Sequence, residues 1–204
     1  MPTTSSAPGR RERNKQDKLD RITAAARELF SQHGIDDVTT QQIADAADIG
    51  TGTLFLYAKS KGELLLLVQN SAYADALKRG TAEASSLDDP LDAIMAILTP
   101  VVECNRTQVD NGRTYLREIV FGDHDEPHHR DAVGYSLATA EAVAAVLTRL
   151  ASVTPDDAAT RAQVVSAVMF TTLAATPNAT SSVESLVAQI RAQVEVILPP
   201  VSKR

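Results

Sequence analysis

The chain has no tryptophan, four tyrosines, four phenylalanines, a single cysteine, and only nine glycines and nine prolines in 204 residues. One cysteine makes no internal disulfide, so no covalent framework holds the fold, which fits a reducing compartment. No apolar run approaches the roughly 18 residues that cross a bilayer. The N-terminus, MPTTSSAPG followed by arginines, lacks the apolar core of a secretory signal. The chain is therefore expected to be cytoplasmic, with no membrane partner. Phosphate-cradling glycine loops, Ser/His/Asp elbows and HExxH are also missing. No catalytic residue, cofactor or metal ligand set is expected, and the protein is not read as an enzyme.

A basic balance is lacking too. The net charge is −6, whereas a nucleic-acid-binding domain usually carries a basic footprint. Residues 1–63 hold nine Lys/Arg and nine Asp/Glu, so the excess negative charge lies entirely beyond them. Within that neutral segment the cations are grouped. Arg10, Arg11, Arg13, Lys15 and Lys18 form one cluster, Lys59 and Lys61 another. A neutral head on an acidic body binds phosphates only where such clusters point.

What is present is helix. Alanine is abundant, β-branched runs are short, and apolar residues recur at helical spacing. The stretch Val38 to Leu67, VTTQQIADAADIGTGTLFLYAKSKGELLLL, organises the rest. Ile43, Ala44 and Ala47 give one buried face on a short helix, with Thr39 and Thr40 placed to cap it, Thr40 being read as the N-cap. Ala47-Asp48-Ile49-Gly50 forms a turn, and Thr51 to Tyr57 a second helix in which Leu54 and Leu56 have core character. Helix, tight turn and helix is the arrangement that places a second helix in the DNA major groove.

These residues carry a resemblance. Thr39-Thr40, Ile43-Ala44, Ala46-Ala47, Ile49, Gly52-Thr53-Leu54, Ser60-Lys61 and Glu63-Leu64 resemble the helix-turn-helix of tetracycline-repressor-type (TetR-family) regulators. Ala24-Ala25-Ala26, Leu29-Phe30 and His33-Gly34 resemble that family's first helix and its end. The resemblance covers about the first third of the chain. It implies that Thr51, Thr53 and Phe55 face bases or sugar-phosphate and that Tyr57 and Lys61 hold phosphates. Thr40, Gln41 and Gly52 complete the candidate DNA-binding set. Threonine methyls and the Phe55 ring suit the thymine methyl, and no Arg or Asn stands in this helix for a bidentate base contact. The sequence departs from the family pattern at Asp48 (usually glycine), Gly50 (usually a serine-like cap), Phe55 (usually tyrosine) and Tyr57-Ala58 (usually His-Phe). Asp48 suits a left-handed turn, Gly50 caps weakly, and Phe30 or Leu56 must fill the space of the missing ring.

The expected fold class is all-α with about nine helices. Residues 1–14 are expected to be a disordered basic arm. Residues 15–62 form a three-helix helix-turn-helix DNA-binding domain, the first helix running from about Gln16 to Gln32. Residues 63–204 form a helical effector-binding and dimerisation domain. Its helices are expected near 61–83, 90–108, 112–121, 129–150, 156–175 and 181–198, bounded by Pro90, Pro155, Pro177 and Pro199-Pro200.

The last two helices are apolar on more than one face, which suits a homodimer joined by a four-helix bundle. Val165, Met169, Phe170, Leu173, Leu186, Ile190 and Val194 are the candidate interface. An effector pocket is implied by the resemblance alone, enclosed by the fourth to seventh helices. Tyr73, Met95, Leu98, Cys104, Tyr115, Ile119 and Tyr135 are its candidate lining. The few aromatics exclude a large aromatic, multidrug-type pocket. Asp123 to His129 gathers possible metal ligands, but Pro127 keeps His124 and His128 off one helical face, and the segment reads as a solvated loop. The expected function is a ligand-responsive repressor on a near-palindromic double-stranded operator, released by a small-molecule effector. The alternative is a helical interaction module, or an enzyme, on a degenerate helix-turn-helix scaffold.

Overall fold

Most helices begin where a side chain accepts an amide hydrogen that the helix itself leaves unpaired. The computed structural model describes residues 9–199, and among them finds nine α-helices, one 3-10 turn and no strand. The helices are α1 (Arg10–His33), α2 (Thr40–Ala46), α3 (Thr51–Leu54), α4 (Lys61–Ala84), α5 (Pro90–Arg106), α6 (Val109–Phe121), α7 (Pro127–Leu150), α8 (Pro155–Ala174) and α9 (Val183–Ile197). Side chains of Thr39, Ser60, Asp89, Gln108, Thr154 and Ser182 cap α2, α4, α5, α6, α8 and α9. Thr39, not Thr40, is the α2 cap, in a reciprocal capping box with Gln42. Gly50 gives α3 no side-chain cap, as the sequence leads one to expect.

Residues 1–8 of the expected arm lie outside the described residues. Arg10 to Asn14 are helical, so α1 starts about a turn and a half before the expected Gln16. At its far end Gly34 takes φ 76°, a conformation that favours glycine, and a Cβ there would lie 2.6 Å from Gln108 Nε2.

The N-terminal head is built on Ile22, Ala26 and Phe30 of α1, Ile43 and Ala44 of α2, and Leu54 of α3, all buried. Each fully buried Ile, Leu or Phe contributes about 1.5–3 kcal/mol. Phe30 and the small Ala58 sit in this core. Leu56 does not: α3 ends at Leu54 rather than at Tyr57, and Leu56 in the following turn is 83% exposed.

Leu64, Leu65 and Leu66 bury α4 nearly all round, because it contacts α1 on one side and α5, α6 and α7 on others. α4 crosses α5 closely at Gly80, where a Cβ would meet the Ala96 carbonyl oxygen at 2.6 Å. α7 packs on α4 and α8, and α9 packs on α8 and α5, closing the second core. Among the described residues no helix is long and apolar enough to cross a membrane.

Candidate nucleic-acid interface and effector site

The turn between α2 and α3 depends on Asp48, whose φ of 52° is left-handed. Asp tolerates this conformation better than most residues. Arg21 Nη1 lies 3.4 Å from both the Asp48 carbonyl oxygen and its carboxylate. The Ile49 amide returns to the Ala44 carbonyl at 3.0 Å. The departures from the family pattern at Asp48, Gly50 and Ala58 therefore leave the helix-turn-helix intact.

On its outer side the structure brings Gln41 and Thr51 together. The Thr51 hydroxyl donates to Gln41 Oε1 at 2.6 Å, and Gln41 Nε2 donates to Asp45 at 2.7 Å. Gly52 is exposed, Thr40 and Thr53 are half-buried, and Phe55 is 44% exposed, so the short helix offers small and apolar groups outward. Tyr57 lies against the basic face of α1. Its hydroxyl is 3.4 Å from the Lys15 carbonyl oxygen, and it shares a surface groove with Arg11, Lys15 and Lys18. Lys61 Nζ donates to the Val38 and Asp36 carbonyls at 3.0 and 3.3 Å. That fixes the loop before α2 and leaves the lysine half-exposed. Leu56 was missed as a surface group because a longer α3 would turn it inward.

Behind the head a second set of polar groups joins α3–α4 to α7. Lys59, in the turn before α4, is ion-paired to Glu126, the residue preceding α7. This pairing raises the Lys59 pKa above its usual value. Glu63 is buried and accepts from the His128 amide at 3.0 Å. Burial raises its pKa, and the bond from His128 opposes the rise. One face further along α4, Asn70 donates to the His128 carbonyl at 2.9 Å and accepts from the Tyr115 hydroxyl at 2.9 Å. Tyr115 stacks on Tyr73 with centroids 4.3 Å apart, and Asn105 donates to the Tyr73 hydroxyl at 2.8 Å. Burial drives both tyrosine pKa values strongly upward. Asn70 was not singled out from the sequence, and Glu63 only as part of the helix-turn-helix pattern. Their signal is two polar residues seven apart, on one face of an otherwise apolar helix.

The 123–129 segment is only partly the solvated loop expected. His124 is exposed, but Glu126 and His129 are buried, with His129 Nε2 3.2 Å from the Ile119 carbonyl oxygen. Among the described residues no group of three or more His, Cys, Asp or Glu is placed to hold a metal ion.

Four of the seven candidate effector-lining residues, Tyr73, Tyr115, Ile119 and Tyr135, line one internal cavity of about 20 Å³. Met95 and Leu98 are core, outside that lining. Cys104 is also outside it, and burial pushes its thiol pKa up to about 11. The opposite wall comes from α8 through Met169, Phe170 and Leu173, so the space is not enclosed by α4–α7 alone.

That placement also corrects the expected dimer interface. Val165, Met169, Leu173, Leu186, Ile190 and Val194 are buried within a single chain, and Phe170 is half-buried. They form the protomer's own core because α9 packs its apolar stripe on α8 and α5. The outward face of the pair carries Val164, Ala167, Ala192 and Val196 instead.

This geometry defines an all-α protein with an N-terminal helix-turn-helix on a helical body. Residues 22–68 match the family model for bacterial regulatory proteins of the tetR family. Among curated proteins, none matches the sequence. A TetR transcriptional regulator from Rhodococcus sp. RHA1 shares 17% identity over 93% of this chain and 100% of its own, with a TM-score of 0.69. FadR of Thermus thermophilus, a TetR-family repressor solved with lauroyl-CoA, shares 20% identity over 91% of this chain and 96% of its own, with a TM-score of 0.70. FadR of Bacillus subtilis, solved with stearoyl-CoA, shares 15% over 90% and 99%, with a TM-score of 0.64. Residues 22–68 are thus similar to the tetR-family model, and the chain as a whole shares the fold of these solved structures.

Proposed function

We propose that the protein is a ligand-responsive repressor that binds a near-palindromic operator as a homodimer in the cytoplasm. Gln41, Thr51, Gly52, Thr53 and Phe55 meet the major groove, while Thr40, Tyr57, Lys61 and the basic face of α1 meet phosphates. Base readout then rests on apolar contact and shape, and affinity on phosphates. The head keeps its turn geometry at Asp48 and an outward-facing α3, which favours a DNA-binding role over an interaction module or an enzyme.

The observation that supports ligand response is the polar chain from Tyr115, on the cavity wall, through Asn70 and the first turn of α7 to Glu63 at the start of α4. An effector that displaces Tyr115 disturbs the contacts holding α4 behind the head. It shifts the population toward a form whose two heads no longer match the half-sites. The two FadR proteins of the same fold hold acyl-CoA ligands, which supports a cavity here that opens for a small molecule. The second protomer covers Val164, Ala167, Ala192 and Val196. Repressor action is tested by selecting genomic fragments on the full-length protein and assaying transcription from the promoters retained. Repression supports the reading, and activation or no retained fragment removes it.

A further inference from the structure

Two spaces adjoin at the α6–α8 contact, and they differ in kind. The internal cavity, about 20 Å³, is lined mostly by apolar side chains with the hydroxyls of Ser136, Thr139 and Ser166 among them. An open groove of about 430 Å³ lies beside it, lined by Arg113, Thr114, Leu116, Arg117, Val120, Phe121, Phe170, Thr171 and Ala174. Leu116 and Phe170 belong to both linings, so groove and cavity meet at these two side chains. Ligand sites commonly occupy about 300–1,000 Å³. The groove meets that size and the cavity does not.

The charge in the groove has one sign. Arg113 and Arg117 stand one helical turn apart on α6, and no carboxylate lines the space. Arg113 Nη2 donates to the Thr176 hydroxyl at 3.2 Å, which holds its guanidinium at the groove, while Arg117 is exposed. A third guanidinium, Arg106, is buried behind them on the Asn178, Ala179 and Ser181 carbonyls, and feels the Arg113 charge as repulsion. Among the described residues none of the three has an ion-pair partner, on a chain whose net charge is −6. Further along the same face of α6 stand Val120 and Phe121, 58% and 81% exposed, and Phe170, Thr171 and Ala174 of α8 form the facing wall. The α6 wall thus offers two guanidinium groups at one end and exposed hydrocarbon at the other.

We propose that this groove binds an amphiphilic organic anion, its carboxylate or phosphate on Arg113 and Arg117 and its flexible apolar tail passing between Leu116 and Phe170 into the cavity. Guanidinium forks pair such oxyanions with two parallel hydrogen bonds. A flexible chain suits the inner end. Ile119, Met169 and Phe170 can turn aside for a slim tail, whereas a rigid ring would have to displace several packed side chains at once. The tail would reach the wall that contains Tyr115, the start of the polar chain toward α4. The inference rests on the proposed ligand response and adds the ligand's chemical class and entry point.

The test is calorimetric titration of the full-length protein with dodecanoate, dodecanol, dodecyltrimethylammonium and acetate, each below its micelle concentration. Dodecanoate is expected to bind, the alcohol about tenfold or more weaker, and the cation and acetate not at all. The double variant Arg113→Gln/Arg117→Gln should weaken dodecanoate about tenfold or more and leave the alcohol unchanged. Equal binding of the three long-chain probes, acetate binding as tight as dodecanoate, or an unaffected double variant each overturns the proposal. Gel filtration of the double variant guards against another occupant. A shift from dimer to monomer would make the groove a protomer contact and overturn the ligand assignment. DNA retention is scored separately. Retention without an anion effect sinks this inference alone, whereas anion binding without retention sinks the regulator reading alone.

Discussion

The Tyr115 hydroxyl donates a 2.9 Å hydrogen bond to the carboxamide oxygen of Asn70, and so ties the wall of the internal cavity to the helix that carries the reading head. The other end of the same carboxamide holds the His128 carbonyl at the start of α7. Asn70→Ala removes both bonds and leaves a buried hydroxyl and carbonyl to find new partners. Such losses cost about 1–3 kcal/mol per group left unpaired. A lowered urea midpoint with an unchanged slope is the expected outcome, and a stability equal to wild type would contradict the role given to Asn70.

Glu63 makes stability depend on pH in a definite sense. Burial raises its folded pKa above the ordinary value of 4.5, more than the His128 amide lowers it. A carboxyl with a raised folded pKa favours folding fully below its unfolded value, and that contribution is lost as pH rises through the folded one. Gln keeps an oxygen to accept from His128 without the charge. The stability of Glu63→Gln relative to wild type should therefore grow as pH is raised from about 4.5. Denaturation curves that run parallel across this range would refute the shift.

The thiol of Cys104, with its pKa near 11, holds little thiolate at neutral pH. An aromatic disulfide reagent at pH 8 should label the folded protein slowly and the denatured protein at the rate of a free thiol. Fast labelling of the native state would contradict that burial.

At Gly80 two effects oppose. Alanine is better than glycine inside a helix by about 1 kcal/mol. The added Cβ, however, would stand 2.6 Å from the Ala96 carbonyl oxygen and 2.8 Å from the Ile97 Cα, both backbone atoms. Overpacking of that kind costs about 1–3 kcal/mol, so Gly80→Ala should lower the melting temperature. A raised one would show that α4 and α5 separate cheaply.

The groove that Arg11, Lys15 and Lys18 share with Tyr57 gives the DNA account a salt signature. Each phosphate contact removed lowers the slope of log affinity against log salt by about 1. Lys15→Ala/Lys18→Ala should flatten it by about 2 on specific and unrelated DNA alike. Phe55→Ala should instead weaken the specific fragment and spare unrelated DNA. Reversed behaviour of the two variants would exchange their roles.

The sequence made the helix count, most helix starts and the N-terminal helix-turn-helix legible, because caps, prolines and apolar periodicity are local signals. Asp48 announced its left-handed turn for the same reason. The wall of the internal cavity was half legible. Tyr73, Tyr115, Ile119 and Tyr135 converge on one space, but periodicity along α8 could not show that Met169 and Leu173 complete it. The residues expected at a dimer face turned out buried in the protomer by the same limit. Apolar stripes on α8 and α9 announce burial without saying whether the partner is the same chain or another. The most apolar residues went to the protomer's own core, leaving Val164, Ala167, Ala192 and Val196 outside. The pairings of Glu63 with His128 and of Glu126 with Lys59 were not legible because the partners lie more than fifty residues apart in sequence.

Footprinting of the full-length protein on a fragment it selects from genomic DNA tests the central claim most directly. Two symmetric protections on one face of the duplex are predicted, centred about one helical turn or a multiple of it apart, and lost together when Val164 and Val196 are replaced by aspartate to split the dimer. A single unsymmetrical protection, or protection that survives in the monomeric variant, would contradict it.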